Sequence, residues 1–374
     1  MRLGGFQRTV RSWLSCSCAV ALAGALVAIP VSGSAQTATP PAATPPAAPI
    51  NPPVAINPFV AGVVIDFREN MRTFVQSISA YARSINPNFM VIAKDGLSLV
   101  GKADPTDDTI IFPARAYMHA IDGVMETRLL DETITTPEGK PDPELEAAVK
   151  RHAADFAMAR AAGLNVYGLE FAADPKAVDA LYAALSKKGT IPFVGESPAL
   201  GTIPAHPITA FNANAKTIRA PSEVQNYLFV ADSKSFGTPT DFIQALRLTN
   251  HDALVIDVFQ GRTPLTRQDV ASLKYKRLGA PRLVLAQIDI SHATPFRYYW
   301  KPGWTAGNPP FLFAPVRKDP DRFRTIYWAP EWQAIISGNF NSYVYGVMDL
   351  GFDGVVLKGV DAWRFYDAGG EENP

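Results

Sequence analysis

Seven acidic side chains in this chain stand at or just past the ends of short apolar runs: Asp95, Glu126, Glu170, Glu196, Asp232, Asp257 and Asp289. Two carboxyl groups held about 5 to 10 Å apart, one as acid and the other as base or nucleophile, are what glycoside hydrolysis requires. Asp257 closes the run 253–256. Asp289 sits in AQIDIS, where alternation puts its side chain on the same face as Gln287, and these two acids are the expected pair. Salt bridges from Lys358 and Lys94 to the same acids are an equally available reading. Asp361 falls just past the last apolar run, 354–357.

Lys358 and His292 open other routes. A lysine among carboxylates depresses their pKa and removes the raised-pKa acid that a glycosidase uses. Lys358 could form a Schiff base if burial lowered its own pKa, although nearby acids would raise it. His292, with an ordinary pKa of about 6.5, could act as acid or base, or only hydrogen-bond within its loop. The five histidines show no metal-ligand spacing, and no Gly-rich phosphate loop, GxSxG or HExxH is present, so no metal or cofactor is expected. The aromatic stretch 296–304, with Phe311, Phe313, Tyr327, Trp328 and Trp332, fits either a wall on which flat sugar faces stack or the cover of a hydrophobic flank.

These side chains need a frame. Helical periodicity over 65–85, with Met71, Phe74, Val75 and Ile78 on one face, ends at Asn86-Pro87. Buried strands are expected near 89, 121, 165, 191, 227, 253, 282 and 354. Helices are expected at 144–162, 175–188, 239–248, 266–278 and 331–350. Eight strands mostly separated by helices close a (β/α)8 barrel, a single α/β domain over 59–370, with chemistry at the C-terminal strand ends. The first helix has no strand before it and the last strand no helix after it. A circularly permuted ring is therefore expected, with the first helix filling the place missing after Leu357 and the chain ends side by side. The loop 131–143 is polar and Pro-rich, a lid or simply a mobile loop.

The chain of 374 residues is 47% hydrophobic with a net charge of zero. Residues 1–35 contain Arg2, Arg8 and Arg11 and no acid, which leaves the rest about three units acidic, so nucleic acid is not an expected partner. Those 35 residues read as a signal peptide, with a membrane anchor as the alternative, and 36–58 as an extended Pro/Ala-rich linker. A secreted or periplasmic protein follows, with no membrane span after signal cleavage. Both cysteines, Cys16 and Cys18, lie in the leader, so the mature chain should have no thiol or disulfide.

GFDGVVLKGVDAW (351–363), ALVIDVFQG (253–261), VLAQIDISHATPFRYYWKPGW (284–304) and IYWAPEW (326–332) resemble the barrel of glycoside hydrolase family 114, the endo-α-1,4-polygalactosaminidases. Residues 71–96 and 118–124 resemble the half that normally follows GFDGV, so the likeness runs in swapped order. It implies an amino-sugar polysaccharide or oligosaccharide as partner. It also implies that Asp257, Arg297, Tyr298, Tyr299, Trp300, Trp304, Tyr327, Trp328 and Asp361 keep family positions. His292 and Lys358 stand where the family has acids, and Ala329 where it has Asp. The two open readings are an active hydrolase and a carbohydrate-binding or envelope scaffold whose catalytic acids have been replaced.

Overall fold

In the computed structural model, Phe59 and residues 64–370, apart from 105, 108, 137 and 138, are described, and they belong to one compact unit. The expected leader and linker lie outside the described residues. Eight parallel strands form one sheet: β1 Met90–Lys94, β2 Gly123–Thr127, β3 Asn165–Phe171, β4 Ile191–Gly195, β5 Tyr227–Val230, β6 Ala253–Asp257, β7 Leu283–Asp289 and β8 Gly354–Lys358. Their order, β4-β3-β2-β1-β8-β7-β6-β5, curls into a nearly closed (β/α)8 barrel. Each expected strand is present. β1, β6, β7 and β8 are buried at every position except the last, because helices cover one face and the barrel interior the other.

The first helix and the last strand of the barrel come together as expected. Strands β1 and β8 pair from Met90–Gly354 to Ala93–Leu357. Helix α1, Phe67–Ile85, buries Met71, Phe74, Val75, Ile78 and Ala82 at helical spacing, and its N-cap Asp66 accepts from the Glu69 amide at 2.8 Å. Its N-terminal turn meets the last part of the barrel, with Arg68 3.3 Å from Asp367 and Tyr327 donating to the Phe67 carbonyl at 2.7 Å.

Three expectations change. The helix expected over 266–278 is only Arg267–Ser272, and the gap in the ring's hydrogen bonding lies between β4 and β5, where the Pro-punctuated connection 196–226 supplies only a 3-10 turn at Pro221–Glu223. The single helix expected over 331–350 is two, Pro330–Ile336 and Tyr343–Asp349. Gly338 at φ +99° breaks it, and the Asn339 side chain donates to the Ala334 carbonyl. The last strand is followed by a short helix, Trp363–Asp367. The insertion after β7 carries a three-stranded antiparallel sheet, 292–293, 312–316 and 319–325, and the aromatic stretch 296–304 lies in the turns between the first two of these strands.

The GFDG and IDG motifs turn out to be architectural. Asp353 accepts from the Val284 amide at 2.7 Å, and Asp122 from the Val91 amide at 2.7 Å. Each fixes an adjacent strand at the N-terminal rim, where no chemistry is expected.

Candidate active site

The last residue of β1, β8, β7 and β6, taken around the ring, is Lys94, Lys358, Asp289 and Asp257. Each is the one partly exposed residue of its strand, so four adjacent strands end in two cations and two anions at the barrel mouth. Asp289 is the register partner of Lys358, and Gln287 that of Asp257.

Two cavities open there. One, of 340 Å³, is walled by Asp257, Asp289 and Gln287 with Arg297, Tyr299 and Tyr343. The other, of 530 Å³, is walled by Lys94, Asp95, Asp361, Lys318 and Arg364. His292, Arg322 and Lys358 border both. All five acid–base candidates therefore belong to one mouth.

Neither member of the expected acid pair is free. Asp257 receives both terminal nitrogens of Arg297, at 2.7 and 2.6 Å, and also the Phe259 amide at 2.9 Å. Burial works against the Arg297 cation, but the hydrogen bonds it donates to Asp257 outweigh this and hold the guanidinium pKa above its ordinary value. Asp289 accepts from Arg322 at 2.6 Å, from the His292 amide at 3.0 Å and from the Ser291 amide at 3.2 Å; His292 Nδ1 lies 3.1 Å away. Burial opposes its ionisation, yet His292, Arg322 and Lys358 together keep it well below the usual carboxylate range. The salt bridges foreseen for Lys358 and Lys94 are thus made to Asp289 and Asp257 by arginines. The fork of a guanidinium matches a carboxylate better than an ammonium does. His292 takes its loop-bonding role.

The Lys358 ammonium makes no hydrogen bond or ion pair among the described residues. Burial pulls its pKa below the lysine value; the attraction of Asp289 resists this, and Arg322 and Lys94 add to it. Gly359 follows at φ +81°, and a Cβ there would run into Ser291 and stand 2.9 Å from Asp289 Oδ1. The ends of β7 and β8 can approach this closely only with glycine at that position.

Around Asp95 a second acidic group forms, and its roles were not read from the sequence. Asp95, left-handed at φ +55°, pairs with Lys94 and accepts from the Thr127 amide at 3.0 Å. Glu126 is pushed up to about 8, first by burial and then by Asp95. Asp361 is raised above the ordinary aspartate value by the same two causes in the same order. Strand-end position marked Asp95 and Glu126 as candidates, but no sequence spacing says that Asp95 sits beside both other acids. Arg322, the clamp on Asp289, carried no signal beyond the alternation of Arg-Phe-Arg.

The aromatic wall is mostly packing. Tyr327 is fully buried, and Trp328 lies 5.0 Å from Phe67 and 4.8 Å from Tyr366, ring centre to ring centre. Trp300 packs on Trp304 and Phe323, and Trp304 on Phe311, each at 5.3 Å. Tyr298 is half exposed, with its hydroxyl 3.3 Å from the Ile335 and Asn341 carbonyls. None of these five borders the two mouth cavities. Of the stretch 296–304, Phe296, Arg297 and Tyr299 border the smaller cavity. Burying a large aromatic ring removes so much apolar area from water that the insertion spends its aromatics on attachment to the barrel.

No family model matches the sequence. A Deinococcus radiodurans protein described as uncharacterized is 30% identical over 129 residues, 33% of this chain and 38% of its own length. A Thermotoga maritima protein so described is 30% identical over 82 residues, 22% and 24% of the two chains. One from Methanocaldococcus jannaschii is 28% identical over 129 residues, 34% and 36%. The chain thus spans well under half the length of these relatives. Among solved structures, the catalytic domain of an Ignisphaera aggregans GH53 protein aligns over 82% of this chain and 88% of its own, at 13% identity and a TM-score of 0.34. Mycobacterium tuberculosis tryptophan synthase aligns over 58% and 79%, at 13% identity and a TM-score of 0.27.

Proposed function

We propose that this protein is a carbohydrate-active barrel that hydrolyses an O-glycosidic bond of a polysaccharide or oligosaccharide laid across its strand ends. The observation that carries this is the opposite perturbation of two acids around Lys358: Asp289 is held ionised and Asp361 is held towards its neutral form. Paired carboxyl groups with separated pKa values divide the labour of a glycosidase. Asp361, protonated, gives its proton to the leaving oxygen as the glycosidic C–O bond breaks, Asp289 stabilises positive charge developing on the sugar ring, and a water molecule adds to the anomeric carbon and returns a proton to Asp361. The family 114 resemblance favours an amino-sugar polymer, and the leader favours secretion or the periplasm.

Release of reducing ends from a panel of polysaccharides tests the reading. Asp361→Asn should lower turnover at least about 100-fold, the usual share of a general acid, with the circular dichroism unchanged. Undiminished turnover would sink the assignment. A second reading, binding without turnover, is favoured by the arginine clamps, because an acid whose oxygens already accept strong hydrogen bonds is a poor nucleophile. It is the right one if wild-type protein retains a polysaccharide on affinity electrophoresis and releases no reducing ends.

A further inference from the structure

Charge is distributed unevenly between the two cavities. The 530 Å³ cavity is walled by seven lysine and arginine side chains and only two carboxylates, Asp95 and Asp361. Asp95 is already matched by Lys94, and Asp361 is held towards its neutral form by burial and by Asp95. Arg322 reaches out of this cavity to Asp289, which belongs to the other. At the shared wall stands Lys358, a largely buried ammonium without a hydrogen-bond or ion-pair partner among the described residues. A buried cation without a partner is costly, and an incoming anion would remove that cost.

We propose that this cavity seats the anionic group of an acidic glycan, the carboxylate of a uronic acid or a sulfate ester, with Lys358 as its central contact and Lys318 and Arg364 at its rim. This rests on the carbohydrate reading above and names the substrate class. An amino-sugar polymer, itself cationic, is repelled by the same wall, so the carbohydrate reading stands and an acidic glycan replaces the amino-sugar polymer that the family 114 resemblance favours. Nucleic acid fits poorly, since beyond the leader the chain is slightly acidic and the cations are gathered in a pocket at the barrel mouth.

Calorimetric titration of the full chain at two salt concentrations tests this. The probes are oligogalacturonate, a sulfated galactan oligomer, neutral galactan oligomer, oligogalactosamine and inorganic sulfate. The expected result is that at least one acidic oligomer binds ten or more times tighter than the neutral and amino-sugar oligomers. Lys358→Met should remove at least about tenfold of that preference, as loss of a charge-assisted hydrogen bond does. The margin should shrink as salt rises. Arg364→Gln, an exposed change, provides a second readout should the methionine variant lose its fold. The two acidic oligomers tell carboxylate from sulfate. Equal affinity for neutral and acidic oligomers, unaltered by either variant, overturns the anionic assignment and keeps the carbohydrate reading. Binding of inorganic sulfate that depends on Lys358, with no oligomer bound, overturns both the glycan assignment and the carbohydrate reading.

Discussion

Asp289 and Lys358 end neighbouring strands as register partners, yet the carboxylate is bonded by Arg322 and His292 while the ammonium makes no hydrogen bond or ion pair among the described residues. A direct Asp–Lys pair would have cancelled both charges locally. Diverting the carboxylate to an arginine from the inserted sheet keeps Asp289 ionised and leaves Lys358 dependent on whatever enters the mouth.

The Asp257–Arg297 clamp should behave as a buried pair, since the two side chains are only 14% and 15% exposed. Arg297→Met strands a carboxylate and is expected to cost about 3 kcal/mol in urea unfolding. Adding Asp257→Asn should recover part of this, with a coupling of about 1 to 3 kcal/mol in the double-mutant cycle. Strict additivity would show that the clamp is not an interacting pair.

Glu126 makes stability fall as pH rises. Its folded pKa of about 8 lies above the ordinary value of 4.5, so the native state binds the proton more tightly. The favourable contribution is complete below the unfolded pKa and disappears between about 4.5 and 8. Glu126→Gln should therefore gain stability relative to wild type at pH 8 compared with pH 5, by about 1 to 3 kcal/mol. A difference that does not change with pH would contradict this placement.

Gly359→Ala should destabilise by about 2 kcal/mol or more and weaken binding at the mouth. The added methyl group meets Ser291 and Asp289, and the backbone is left-handed. A melting temperature within a degree of wild type would argue against the close approach.

Away from the mouth, Lys276 and Asp252 form an ion pair at 2.5 Å with neither side chain exposed. Lys276 also donates to the Asn214 and Lys216 carbonyls, at 3.2 and 3.0 Å, and Asp252 accepts from the Gln225 amide at 2.8 Å. The pair pins the helix-poor connection ahead of β5 to the start of β6. Lys276→Met should cost about 3 to 5 kcal/mol, because it leaves a buried charge unmatched. A loss below 1 kcal/mol would mean that water reaches Asp252.

Much of the architecture was legible in order along the chain. Apolar runs at 165–171, 191–195 and 253–257 can be buried on two faces only in a parallel sheet. Helical periodicity at Met71, Phe74 and Val75, with no strand before it, placed the chain ends together. These signals are local: each depends on residues within one or two turns. The break at Gly338 was masked because apolar residues continue on both sides of it.

Sequence alone also put Asp257, Asp289 and Lys358 at strand ends, since each follows an apolar run. Tertiary structure decided what those charges do. Arg297 and Arg322 come from the inserted segment, 40 and 33 residues beyond the acids they hold, and Asp95, Glu126 and Asp361 converge from three strand ends. Burial and Coulomb interactions set protonation through space, and the distances that govern them exist only once the barrel has curled and the insertion has folded back over its mouth.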